Sequence, residues 1–181
     1  MRALSLGEIL IVVSIIAIIG SIGMINFSLV FQRSNLKIGL NQISQDIQKM
    51  RSYALVFLSN QTPLPEAYGI EIQKNAKYYF IFNDENGNGK REAEETFEKK
   101  DLPSKVEISE IEIEKKDGTS LNPNILYIVF SPPYPKIEIY TSDTEAISDW
   151  KFVKIQVKIE NKSCPEWCEE FRINSLGVIE K

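Results

Sequence analysis

The chain has 181 residues, 43% of them hydrophobic and 25% charged, with 21 basic against 25 acidic side chains and a net charge of −4. That mildly acidic balance makes nucleic acid an unfavoured partner and gives no reason to expect attraction to an anionic surface. The absence of histidine removes Ser-His and Cys-His arrangements, and with no glycine-rich phosphate loop in the sequence an enzyme is not expected.

The first element is the apolar segment Leu4 to Ile25, interrupted only by Glu8. As a helix, the charge-free run Ile9 to Ile25 would extend ~26 Å, close to the ~30 Å hydrocarbon core of a bilayer, so a single membrane-spanning helix is expected over 4–25. A carboxylate carried into such a segment costs on the order of 3 kcal/mol, so Glu8 calls for a partner. Only Arg2 and Glu8 are charged before Arg33, and Lys37 follows, so flanking charge does not fix an orientation.

The order of features is basic Met1-Arg2-Ala3, then Leu4, then Glu8, then the apolar run. A secretory signal peptide places its small residue after the apolar region, whereas Ala3 precedes it. In these residues the chain resembles the type IV pilin and pseudopilin family, whose short basic leader is removed and whose signature glutamate stands four residues after the new N-terminus. The resemblance implies cleavage between Ala3 and Leu4 by a prepilin peptidase and N-methylation of Leu4. It further implies that Glu8 pairs with the Leu4 ammonium of a neighbouring subunit, since a matched pair offsets much of the cost of two charges in a low dielectric. Other pilin or pseudopilin subunits, the prepilin peptidase and an inner-membrane assembly platform are the implied partners. The implied location is the inner membrane before assembly and a cell-surface or periplasmic fibre afterwards. Ala3, Leu4 and Gly7 depart from the family's usual glycine, phenylalanine and bulky apolar residue. Ile25 stands where many members have proline, and Gly20 and Gly23 can supply flexibility instead.

Beyond the apolar segment, Leu36, Leu40, Ile43, Ile47, Met50, Ala54 and Phe57 recur at alternating four- and three-residue steps, one stripe of a continuing helix. Pro63 and Pro65 end the pattern, so one helix is expected to run to about Ser59. The expected divisions are a leader over 1–3, the membrane and assembly half of the helix over 4–25, an amphipathic half over 26–59, and a β-rich extracytoplasmic domain over 60–181.

From there the period becomes two. Residues 68–73, 77–83, 106–115, 125–130, 136–140, 152–159 and 171–174 read as strands of an antiparallel sheet. Val106 and Ile108 lie in one phase and Ile111 and Ile113 in the other, which predicts a bulge near Ser109 and Glu110. The expected fold class is therefore α+β: a long N-terminal helix packed on a C-terminal antiparallel sheet. The Tyr-Gly-Ile after the helix, Val-Phe-Ser-Pro at 129–132 and Ser-Leu-Gly-Val at 175–178 resemble the H-type minor pseudopilins.

Between two predicted strands, Asp84 to Glu95 fits the calcium-loop pattern D-x-[DN]-x-[DN]-G-x5-E. In a calcium site, Asp84, Asn86 and Asn88 would give side-chain oxygens, Lys90 its carbonyl, Glu92 a direct or water-mediated contact and Glu95 two oxygens, with Gly89 allowing the turn. The alternative is an acidic Asn-Gly hairpin turn without metal. Cys164 and Cys168 enclose Pro165-Glu166-Trp167; in an oxidising compartment a disulfide is expected, and the missing histidine and second cysteine pair argue against a metal site.

Two functions compete. One is a structural, minor subunit of a type IV pilus or type II secretion pseudopilus, polymerised through its helix. The other is a calcium-stabilised binding or adhesion domain on an uncleaved membrane anchor.

Overall fold

The computed structural model describes residues 6–56, 65–133, 136–142 and 146–180, without the side chains of 21–26. Its elements are one helix, α1 (Leu6–Val56), and ten strands: β1 (Ala67–Gln73), β2 (Tyr78–Asp84), β3 (Thr96–Asp101), β4 (Val106–Lys115), β5 (Ser120–Leu121), β6 (Ile125–Ser131), β7 (Lys136–Thr141), β8 (Trp150–Ile159), β9 (Cys168–Asn174) and β10 (Ile179–Glu180). The chain divides into two compact units, one ending at Ser34 and the other beginning at Asn35.

In the first unit every described side chain from Leu6 to Gly20 is exposed. Its large apolar residues between Leu6 and Ile19 are each more than half exposed. Ser14, the one hydroxyl between Ile9 and Gly20, returns its proton to the Leu10 carbonyl at 2.8 Å, satisfying itself within the helix. Phe27 and Phe31, one turn apart, stack with ring centroids 6.4 Å apart.

The expected membrane span is corrected here. Among the described residues no helix is long and apolar enough to cross a membrane. The single-pass inner-membrane location and the transmembrane part of the pilin description fall with it.

In the second unit the helical period decides the packing. Leu36, Leu40, Ile43, Ile47, Met50 and Ala54 are all buried in the main core; Phe57, the seventh position of the stripe, lies outside the described residues. The same core takes Ile70, Ile72, Tyr79, Ile81, Ile128 and Phe130 from one sheet and Ile108, Ile111, Ile113, Val153, Ile155 and Phe171 from another.

The single sheet of the expected α+β fold is corrected to two. Both are five-stranded, with orders β3-β2-β1-β6-β7 and β10-β9-β8-β4-β5, and every pairing is antiparallel. We call them sheets A and B. The expected strands divide between them, β1, β2, β6 and β7 in one and β4, β8 and β9 in the other, and three further strands extend the edges. β3, Thr-Phe-Glu-Lys-Lys-Asp, is a charged edge strand, and β5 and β10 have two residues each; their role comes from the partner beside them rather than from their own pattern. The register of β4 against β8 shifts between Ile108 and Glu110, where the phase of the apolar residues changes.

Polar ties fix the distal part of α1 to the strands. The Tyr79 hydroxyl donates to Asp46, Gln42 Nε2 donates to the Asp101 carbonyl at 3.1 Å, and Asn35 Nδ2 donates to the Ser104 carbonyl at 3.3 Å. Burial, with the Asp46 carboxylate adding to it, pushes the Tyr79 hydroxyl far above its ordinary range.

Sheet A also has a second apolar layer, on the face away from the main core. Ala67, Phe82, Tyr127 and Val129 are buried there, with Ile125 and Tyr140 against them. Gly69 is the position that lets this layer close, because a methyl group at Gly69 would run into the Phe82 ring. Gly69→Ala is expected to destabilise the protein by about 1–3 kcal/mol, the usual cost of overpacking. That cost should shrink in a Phe82→Leu background, a coupling that a double-mutant cycle of urea unfolding midpoints will read.

Candidate functional site

The most elaborated site is the loop joining β2 to β3. Its two ends are buried carboxylates: Asp84 closes β2 at 1% exposure, and Glu95 precedes β3 at 7%. Backbone amides supply hydrogen bonds to both. Asp84 Oδ1 accepts from the Asn88 amide at 3.2 Å and Oδ2 from the Gly89 amide at 2.8 Å. Glu95 Oε1 accepts from the Glu85 amide at 3.1 Å and Oε2 from the Glu92 amide at 3.0 Å. Burial raises the Asp84 pKa, the amides work against that shift, and the Glu95 charge adds to it.

Between these ends the chain closes on itself. Asn86 Oδ1 accepts from the Asn88 amide at 2.9 Å, and Asn88 Oδ1 accepts from the Lys90 amide at 2.7 Å. Both asparagines then donate Nδ2 to Glu92 Oε1, at 3.2 Å and 2.9 Å. Such side-chain turns are what Asn residues form when the backbone doubles back. Gly87 and Gly89 take φ of +70° and +73°, and a side chain at Gly89 would collide with the Tyr140 ring. Lys90 Nζ reaches the Ser142 carbonyl at 3.3 Å.

The loop is thus pinned over the outer layer of sheet A, and Arg91 is the strongest pin. Its guanidinium lies 3.9 Å from the centre of the Phe80 ring and pairs through Nε with Glu71 at 2.8 Å, while Nη1 donates to Thr96 at 2.9 Å. Glu71 sits on β1 at only 5% exposure. A carboxylate so placed needs a cation, and Arg can offer charge, a planar face and several donors at once. Neither residue is one of the expected calcium ligands. The available sequence signal was an acid inside the apolar strand Ala-Tyr-Gly-Ile-Glu-Ile-Gln, but its partner lies 20 residues on.

The six residues expected as metal ligands, Asp84, Asn86, Asn88, Lys90, Glu92 and Glu95, do fall in this one loop. Among the described residues, however, no group of three or more His, Cys, Asp or Glu side chains is gathered to hold a metal ion. The arrangement is that of a hairpin loop closed by its own amides.

The other expected sites lie elsewhere. Ala3 and Leu4 are outside the described residues; Glu8 is exposed in the first turn of α1. Cys164 and Cys168 form a disulfide, with Cα atoms 5.3 Å apart. It closes the connection from β8 to β9, where the Ile159 amide donates to the Trp167 carbonyl at 3.1 Å and Lys162 Nζ stands 5.3 Å from the centre of the Trp167 ring.

Arg91→Ala leaves the Glu71 carboxylate buried without its cation and is expected to cost about 3 kcal/mol, the scale of a broken buried pair. Arg91→Lys should recover part of that, keeping the charge but losing the planar face. By contrast Lys99→Ala, which removes an exposed partner 3.6 Å from Asp101, should cost under about 1 kcal/mol. Urea midpoints of the three variants check the ranking. Comparison with protein-family models, with curated proteins and with solved structures gives no match for this chain, so its function has to be argued from its own residues.

Proposed function

We propose that the chain is a structural subunit, of the minor H-type kind, of a type IV pilus or type II secretion pseudopilus, and that it polymerises through the first part of α1. The observation that supports this is the run of exposed apolar side chains from Leu6 to Ile19. Folded proteins seldom leave large contiguous apolar surface uncovered, and each Å² withdrawn from water is worth roughly 25 cal/mol. Helices of neighbouring subunits supply such cover in a fibre. Removal of Met1-Arg2-Ala3 would expose the Leu4 amine, and Glu8 in the first turn would receive the Leu4 ammonium of the next subunit. That pair penalises every register but one, because any other leaves two charges unmatched among apolar side chains. The Cys164–Cys168 bridge agrees with a domain that matures in an oxidising compartment.

N-terminal mass spectrometry of subunits sheared from native fibres is expected to find N-methylated Leu4. Glu8→Ala should leave a folded subunit that is missing from those fibres. An intact Met1, or normal incorporation of Glu8→Ala, overturns the proposal.

Calcium belongs to the same proposal as a stabiliser of the β2–β3 loop. What favours it is the burial of two carboxylates, Asp84 and Glu95, whose hydrogen bonds come from amides, so that a cation would offset the burial that raises the Asp84 pKa. Calcium in the range of 10⁻⁴–10⁻³ M is expected to raise the melting temperature, and Glu95→Gln should abolish the shift. An unchanged melting temperature in the parent protein shows that the amides alone close the loop.

A further inference from the structure

The β2–β3 loop holds both places in the chain where asparagine is followed by glycine, Asn86-Gly87 and Asn88-Gly89. This dipeptide has a chemistry of its own. The glycine backbone nitrogen, unhindered by a Cβ, attacks the asparagine Cγ. Its proton passes through solvent to the leaving amide, ammonia departs, and a five-membered succinimide remains. Water then opens the ring at either carbonyl. Opening at one carbonyl gives aspartate in the original chain, and opening at the other gives isoaspartate, with the main chain rerouted through the former side chain.

The fold treats the two asparagines differently. Gly89 is buried, and the Tyr140 ring lies close against it, where a Cβ would stand. Its nitrogen, the one that would attack Asn88, donates to the buried Asp84 Oδ2 at 2.8 Å. Asn88 itself is gripped through Oδ1 by the Lys90 amide at 2.7 Å and through Nδ2 by Glu92 at 2.9 Å. Gly87 is exposed. Its amide also lies toward Asp84, but no ring covers it, and its immediate neighbour is the flexible Glu66 side chain. Both asparagines are exposed, and Asn86 is held by longer bonds than Asn88, its Oδ1 accepting from the Asn88 amide at 2.9 Å and its Nδ2 donating to Glu92 at 3.2 Å.

We propose that Asn86 is a site of spontaneous deamidation in the folded protein, yielding aspartate and isoaspartate, and that Asn88 is protected by the packing of Gly89 beneath Tyr140. The product matters for the loop that carries it. Asn86 Nδ2 now donates to Glu92, and deamidation replaces that donor with a carboxylate facing a carboxylate. Isoaspartate also adds a methylene to the backbone between Asp84 and Gly89, where amide bonds to Asp84 set the spacing. Both changes loosen a loop that covers the outer layer of sheet A.

The test is ageing of the full-length chain in calcium-free, mildly alkaline buffer, with a parallel sample in concentrated urea. Peptide mapping by mass spectrometry, with electron-transfer fragmentation to separate aspartate from isoaspartate, follows both asparagines. In urea the two should react at comparable rates, because the fold no longer distinguishes them. In the folded chain Asn86 is expected to convert several-fold faster than Asn88, to both products and with release of ammonia. The proposal is overturned if Asn88 converts as fast as Asn86 in the folded chain. It is equally overturned if neither converts during the time in which both react in urea.

Discussion

Everything in the strand-rich unit depends on one stripe of α1. Leu36, Leu40, Ile43, Ile47, Met50 and Ala54 enter the same core as the inward residues of both sheets. Each sheet turns an apolar face toward this core, a face that is unstable while open to water. The helix stripe and the two sheet faces satisfy one another, and none of the three is a stable surface alone. The polar ties at Asn35, Gln42 and Asp46 add direction to a contact whose strength is apolar, since the hydrophobic effect alone does not fix orientation.

The two sheets differ in what they do with their other face. Sheet B turns outward a ladder of opposite charges across β4 and β8, with Glu107 facing Lys158 and Glu112 facing Lys154 in register. Such pairs contribute modestly and keep the face wet. Sheet A instead carries a second apolar layer, and that layer needs a cover. The β2–β3 loop supplies one, which explains why a loop of Asp, Asn and Gly is held so tightly: Asp84 and Glu95 gather its amides, Gly89 admits Tyr140, and Arg91 seals the side over Phe80 and Glu71. On this account the acidic pattern has a structural task whether or not a cation joins it.

How much of this could be read from the sequence follows from the range of each interaction. The helix stripe was legible because its period is local, and so was the break in register in β4, announced by apolar residues changing phase between Ile108 and Ile111. The β2–β3 loop was legible as a unit, since its spaced Asp, Asn and Glu residues lie within one turn of chain. Its role as a cover was not, because Phe80, Glu71 and Tyr140 come to it from three strands. β3 is not legible in the sequence, since an edge strand whose last four residues are all charged looks like a loop until its neighbour is known. The length of the apolar run from Ile9 to Ile25 suggests a membrane span, but among the described residues no helix is long and apolar enough to cross a membrane.

The change of pattern along α1 also bears on what the chain is for. After Asn35 most apolar residues keep to one stripe that a single surface buries, with Ile38, Leu55 and Val56 left exposed. Before Ser34 they do not: Ile9, Leu10, Ile11, Val12 and Val13 follow one another around the whole circumference, and each is more than half exposed. A helix that is apolar all round cannot be satisfied from one side, because any one partner leaves the opposite face in water. A fibre surrounds it with the equivalent helices of several neighbours, each covering the sector the others leave open. The proposed polymerisation accounts for that all-round pattern.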